Sequence, residues 1–449
     1  MFLQIFVLVC FSVVIIALFR EETDFLTYTI AAMFAAVVAT FIFLPEAITI
    51  EHMIMAVEWE VIFFLISLFT IVEILDNQNI FQEIALRITT KFETNTRKFF
   101  WVICLISTLS AAFINDVSVA IIFVPMIINT SEKMKINPAP ILLGMTICIN
   151  IAATLTPFGS AQNILIANKF NLTSNWFFIS LGAYFIIGTL ITLFLLDKFI
   201  LRKKLRDVWI PHCRENEEST EIENLEDHEL VILEEHIDKK VFYKNLIALG
   251  VFFVLLILIP NILFVGVLGL LIFIFINPSR NERGKRKVEI SSYLGKVDFK
   301  LVFFFISLFI LVYCMEVNGT LLALEDLVTF ITPNNLFLVS IFILILTSLL
   351  SGFLDNVPVT IIFIPVIQVL TSTGLAPTPM LIAFILGINL GGNIFPQGSA
   401  ADMMTLELSE KYCADDLNYR VLLKVGGIFA ILHILLGIGY IAIIVFLFF

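Results

Sequence analysis

"FINDVSVAIIFVPMI" (residues 113–127) and "FLDNVPVTIIFIPVI" (353–367) lie 240 positions apart, and 8 of their 15 residues are identical. Each sets an Asn beside an Asp inside an otherwise apolar run, with the order of the two swapped. The same offset lays "VIFFLISLFTI" (61–71) over "LVFFFISLFIL" (301–311), with 6 of 11 identical. An offset of 239 lays "INIAATLTPFGSA" (149–161) over "INLGGNIFPQGSA" (388–400), with 6 of 13. A Phe- and Ile-rich chain produces chance matches, but the aligned Pro125/Pro365, Pro157/Pro396 and Gly-Ser pairs do not come from that bias. The chain reads as two homologous halves, 1–200 and 244–449, joined by an acidic linker at 201–243.

The 449 residues are 59% hydrophobic and only 14% charged, with a mean hydropathy of +1.01. Several apolar runs approach the length that crosses about 30 Å of hydrocarbon. They are continuous rather than alternating, so the spans are helices and not barrel strands. The expected class is an all-α, multi-pass protein of the cell membrane, with the lipid bilayer as its main partner. Residues 2–19 lack a basic leader and a small-residue cleavage site, and read as a first span. The net charge of −11 comes from residues 215–238, which hold 11 acids and no Lys or Arg. That surplus belongs to one loop and makes no case for a nucleic-acid partner. Six scattered cysteines lack metal-ligand spacing and read as packing residues.

Lys and Arg set the orientation. The basic stretches 197–206 and 280–300 are placed in the cytoplasm. Span 299–317 then runs outward. Its counterpart, 59–76, runs from Glu46, Glu51 and Glu58 towards Arg87, Lys91, Arg97 and Lys98, so it runs inward. The halves are therefore inverted. This layout puts 26 of the 27 basic residues on the cytoplasmic side, with Lys169 the exception. It also makes the linker cytoplasmic and both termini external. Segments 99–130 and 336–372 are expected as re-entrant hairpins and 138–170 and 379–411 as broken helices. About ten crossings complete the count.

The breaks fall at "TLTPFGSAQN" and "NIFPQGSAAD". There Pro157 and Pro396 remove amide donors, and Gly159 and Gly398 relax the backbone. Non-helical backbone at membrane depth must be buried or line a cavity. Carboxylates at that depth are costly, and Asp116, Asp355 and Asp402 are the candidates. Around them the sequence places Asn115, Ser118, Asn150, Thr154, Thr156, Ser160, Gln162 and Asn163 in the first half. The second half supplies Asn356, Thr360, Asn389, Gly392, Asn393, Gln397 and Ser399. No Lys, Arg or His falls in these patches. An oxygen-rich lining suits a proton or a hard monovalent cation such as sodium, with Asp116 and Asp355 as its ligands. The half-helix N-termini suit an anion equally well.

Inverted repeats, broken helices and midplane polar groups together describe a secondary transporter. No GxxxxGK[ST], HExxH or GxSxG occurs, so an ATP-driven pump or a hydrolase is not expected. The hairpin and break segments resemble signature segments of the ion transporter superfamily, which groups arsenite permeases, D-type sodium/proton antiporters and P-protein relatives around a citrate-transporter-like domain. The resemblance spans nearly the whole chain in element order. It implies an elevator mechanism, often in a homodimer, in which hairpins and broken helices slide against 1–98, 244–335 and the terminal spans. It also implies sodium and substrate sites at the hairpin tips. The Ser-Asn-Thr of the carboxylate symporters falls here on Asn115-Asp116-Val117 and Asp355-Asn356-Val357. An Asp there repels a dicarboxylate, so the residues point to sodium/proton antiport. Permeation of arsenite or another small anion, and proton- or sodium-coupled carboxylate transport, stay open as alternatives.

Overall fold

The computed structural model describes residues 2–18, 24–92, 95–114, 116–201, 238–259, 261–280, 286–287, 290–295, 297, 299–322, 335–354, 356–372, 374–414 and 416–449. Asn115, Asp355 and most of the acidic linker thus lie outside the described residues. The first half comprises α1 (Phe2–Leu18), α2 (Phe25–Phe43), α3 (Ile50–Ala56), α4 (Trp59–Asn77) and α5 (Ile80–Phe92). It continues with α6 (Thr96–Ala111), α7 (Asp116–Lys133), α8 (Ala139–Ala152), α9 (Ala161–Lys169) and α10 (Ser174–Leu196). The second half comprises α11 (Lys239–Leu258), α12 (Ile262–Ile276), α13 (Ser291–Leu294), α14 (Phe299–Val317) and α15 (Leu336–Phe353). After these come α16 (Asn356–Ser372), α17 (Pro377–Gly391), α18 (Ala400–Lys411) and α19 (Tyr419–Phe448). The described residues are all-helical, as expected, apart from a two-residue antiparallel pairing of β1 (Ser279–Arg280) with β2 (Arg286–Lys287) after α12.

Six described helices are long and apolar enough to cross a membrane, or seven if α3 and α4, bent by 55°, form one span. Phe34, Ile179, Ile247 and Phe446 are exposed on them. Such surface is costly in water and at home in hydrocarbon, as a multi-pass membrane protein requires.

Local chemistry starts and stops the helices that matter. Asn95 and Asn335, 240 positions apart, each cap a helix, accepting from the amides of Lys98 and Leu338. Pro125 and Pro365 sit inside α7 and α16 and remove one ladder bond each. The residues between α8 and α9 and between α17 and α18 leave the helix. In the second break a 3-10 turn, Pro396–Gly398, takes its place.

The helices pack in two sets. In one, α2 rests on α14 and α12 on α4, with α1 and α11 beside α2 and α12. In the other, α6 packs on α8 and α15 on α17, while α7 packs on α18 and α9 on α16. The terminal spans depart from expectation. α10 packs on α8, and α19 packs on α17 and α15, so they go with the broken helices rather than with the opposing set. Polar groups join the two to each other: Tyr184 of α10 donates to His433 O of α19 at 2.8 Å, and Tyr440 of α19 to Ser180 O of α10 at 2.8 Å. Helix α5 touches both sets.

Without a hydrophobic drive between helices in lipid, close approach depends on small residues. Gly391 and Gly387 supply it between α17 and α15. An added methyl would collide with Ser348 O at the first and with Thr347 Oγ1 at the second. Cys10, Cys104, Cys148 and Cys314 are buried and free, as packing residues are, whereas Cys413 takes part in a disulfide.

A buried charge pins the base of α6. Arg97 Nη2 lies 2.6 Å from Asp197 Oδ2, and Trp101 Nε1 donates to the same oxygen at 3.1 Å. Asp197 is buried while the guanidinium is half exposed. Removing one partner of a buried pair strands the other charge. Arg97→Ala is expected to cost about 1–3 kcal/mol, less than for a fully buried pair because solvent screens the guanidinium. Thermal unfolding in detergent measures it, and an unchanged midpoint would show that Trp101 suffices.

Candidate functional site

The two breaks meet, and their polar side chains interlock. Asn150, on the last turn of α8, donates to Asn393 Oδ1 at 2.9 Å and to Asp402 Oδ1 at 3.3 Å. Ser399 Oγ donates to Asn150 Oδ1 at 3.0 Å. On α17, Asn389 accepts from Gln162 Nε2 at 3.0 Å and Ser160 Oγ at 3.4 Å, and donates to Asn163 Oδ1 at 2.9 Å. The arrangement is reciprocal at the 239-residue offset. Asn150 meets Ser399 and Asp402, and Asn389 meets Ser160 and Asn163. The Asn163 amide also donates to Ala153 O and, at 3.1 Å, to Thr156 O, so it holds its own break closed.

Asp402 is 1% exposed. Its Oδ1 accepts from Thr146 Oγ1 at 2.6 Å as well as from Asn150. Among the described residues no Lys, Arg or His donates to it. Asp116 opens α7, which packs on α18, the helix that carries Asp402. Asp116 Oδ1 accepts from Val117 N at 2.9 Å.

The breaks also touch the α6–α7 and α15–α16 junctions. Thr156 Oγ1 donates to Ala112 O and accepts from Gly159 N at 3.0 Å. An added methyl on Gly159 would lie 3.1 Å from Ala111 O and Ala112 O. On Gly398 it would lie 2.7 Å from Ser351 O and 2.8 Å from Gly352 O. Glycine is thus required where each break crosses the end of α6 or α15. Ser351 Oγ lies within hydrogen-bond reach of Asn356 Oδ1 and, at 2.5 Å, of Ile388 O, and its single hydrogen serves the two.

The structure therefore gathers the residues into two buried clusters, Asn150 with Asn393, Ser399 and Asp402, and Asn389 with Ser160, Gln162 and Asn163, with Gly392 against Asn150 and Ser399. Thr154 and Thr360 instead bond within their own segments, to Ile151 O and Asn356 O. No hydrogen bond from Ser118 into either cluster is found. Gln397 is exposed and accepts from Tyr419 Oη at 2.6 Å, so it stands outside. Asn115 and Asp355 lie outside the described residues. Thr146, Thr405 and Ser351 were missed by sequence reasoning. Thr146 sits one turn before Asn150 on the same helix face, which is the signal that could have found it.

A cavity of about 740 Å³ separates the two helix sets, bordered by Glu58, Lys169, Tyr313, Glu316, Pro365 and Gln368. Lys169 Nζ lies 3.9 Å from Glu58 Oε1 across it.

Comparison with known proteins agrees with this architecture. A 46 kDa membrane protein of Mycobacterium leprae is 26% identical over 411 residues, covering 90% of each chain. An uncharacterized transporter of Methanocaldococcus jannaschii is 28% identical over 392 residues, 86% of this chain and 89% of its own. The mouse P protein is 22% identical over 86% of this chain and 54% of its own. The crystal structure of the YdaH transporter of Alcanivorax borkumensis superposes with a TM-score of 0.58 over 86% of this chain and 85% of that one. At 10% identity that likeness concerns the fold alone. The sequence profile of the citrate transporter family matches residues 6–387, and this multi-pass membrane protein belongs to that family, within the ion transporter superfamily.

Proposed function

We propose that the protein exchanges a monovalent cation, sodium first among them, against protons. The observation that carries this is the buried Asp402 carboxyl, held by Thr146 and Asn150, with no cationic side chain among the described residues bonded to it. A carboxyl buried that deeply among neutral partners does not keep an unbalanced charge. Either a proton or a metal cation must offset it, and competition between the two is the chemistry of exchange.

The reciprocal packing supports two inverted repeats, with α6–α7 and α15–α16 as hairpins and α8–α9 and α17–α18 as broken helices. In this reading the set containing the breaks moves as one body, α10 and α19 included, against the set built on α2, α4, α12 and α14. The cavity at Glu58 and Lys169 is then the gap between them.

Coupled transport of a carboxylate is the second reading, favoured by the family's description. Purified protein in liposomes, given sodium, lithium, arsenite or citrate with and without a pH gradient, decides between them. Sodium-driven proton movement without citrate supports exchange, and citrate-dependent flux in its absence overturns it. Asp116→Asn is expected to abolish sodium-driven proton movement while the protein still inserts. Full activity in that variant would remove Asp116 from the site.

A further inference from the structure

The two halves of the interlock differ at one position. Asn163 and Asp402 are equivalent at the 239-residue offset, as are Ala153 and Gly392. In the first half the Asn163 amide nitrogen sits between two carbonyl oxygens, Ala153 O and Thr156 O, and donates a hydrogen to each. A positively polarised NH2 group held by carbonyls fills the place a small cation takes in a break. The second half puts a carboxylate there instead. Asp402 Oδ1 is used by Thr146 and Asn150, and Oδ2 receives no hydrogen bond from the described residues. Gly392 O, equivalent to Ala153 O, is likewise without a donor among them. Gly392 packs against Ser399 and Asn150, both in the same cluster: an added methyl there would lie 3.2 Å from Ser399 Cβ and 3.5 Å from Asn150 Oδ1.

We infer that the chain has one cation site and not two: a site for a single desolvated monovalent cation at the second break, formed by Asp402 Oδ2 and the carbonyl of Gly392, whose counterpart in the first half is permanently plugged by the amide of Asn163. Within the break Asp402 is the single carboxylate and its neighbours are neutral oxygens, which matches one monovalent positive charge. Oxygen ligands select sodium or lithium over soft metals. The inference rests on the exchange reading above and narrows it to one ion per cycle at this position.

The test is binding without gradients. Purified full-length protein at pH 8 is unfolded by heat in sodium chloride, lithium chloride, potassium chloride or choline chloride. The wild type is expected to gain roughly 2–4 °C in saturating sodium over choline. Asp402→Asn copies the residue of the first half. It is expected to fold, to lose the sodium-dependent gain, and to unfold in choline no earlier than the wild type. Asn163→Asp opens the plugged position and is expected to steepen the sodium dependence of the midpoint. A sodium gain that survives in Asp402→Asn overturns the site, and a sodium dependence unchanged in Asn163→Asp overturns the plug. Liposome flux separates the two readings. Sodium binding lost with Asp402 but no proton exchange in the wild type fails the exchange reading alone. Exchange in the wild type with sodium binding retained in Asp402→Asn fails this inference alone.

Discussion

Asp402→Ala is expected to cut sodium-driven proton movement by at least about 100-fold, which corresponds to about 2.7 kcal/mol. The substitution removes the acceptor for Thr146 Oγ1 and for one bond of Asn150. Both donors are buried, and each one left unpaired costs about 1–3 kcal/mol. Folding stability therefore falls together with transport. Asp402→Asn separates the two effects, since its side-chain oxygen still accepts from both partners. Stopped-flow quenching in liposomes reads the flux, and thermal unfolding reads the fold. If the alanine protein keeps more than a tenth of wild-type exchange, the carboxyl is structural, and Asp116 must carry the ion by itself.

Gly391→Ala is expected to destabilise the protein by about 3 kcal/mol, the upper end of overpacking costs. The added methyl meets backbone: Ser348 O, and Ser348 Cα at 2.9 Å. A flexible neighbour could turn aside, but here α15 and α17 must separate. That separation would also pull Ser351 from Ile388 O, breaking a contact between the α15–α16 junction and the second broken helix. Gly439→Ala is the control. Nothing lies within 4 Å of its added methyl, and alanine is the better helix former, so stability should hold or rise. Equal midpoints for the two variants would mean that α15 and α17 are not packed as described.

Much of this was readable from the chain because the decisive residues are locally unusual. Pro157 with Gly159, and Pro396 with Gly398, cannot continue a helix, so the positions of the breaks follow from backbone chemistry. Asn150, Asn389 and Asp402 stand out because a bilayer penalises polar groups. Thr146 and Thr405 do not, since a threonine in an apolar helix ordinarily bonds back to its own turn, as Thr405 does to Ala401 O. Gln397 was grouped with these polar residues because it lies inside the break, yet the 3-10 turn rotates it outwards. The contact between Arg97 and Asp197 spans 100 positions and has no local signature. The place of α10 and α19 is not legible in the sequence for a related reason: both are apolar nearly all round, and only tertiary contacts say which neighbours they keep.

The cross-packing of α7 on α18 and of α9 on α16 has a consequence during synthesis. Neither half buries its interior alone; each lends a helix to cover the other. Residue 133 ends α7 and residue 400 begins α18, so the 266 residues from 134 to 399 must be made in between. At ordinary ribosome speed that takes on the order of 10–50 s. For that interval the first half waits in the membrane with the face of α7 and its Asp116 unclosed. The chain matures only when its last third arrives, and a truncated product is an open one.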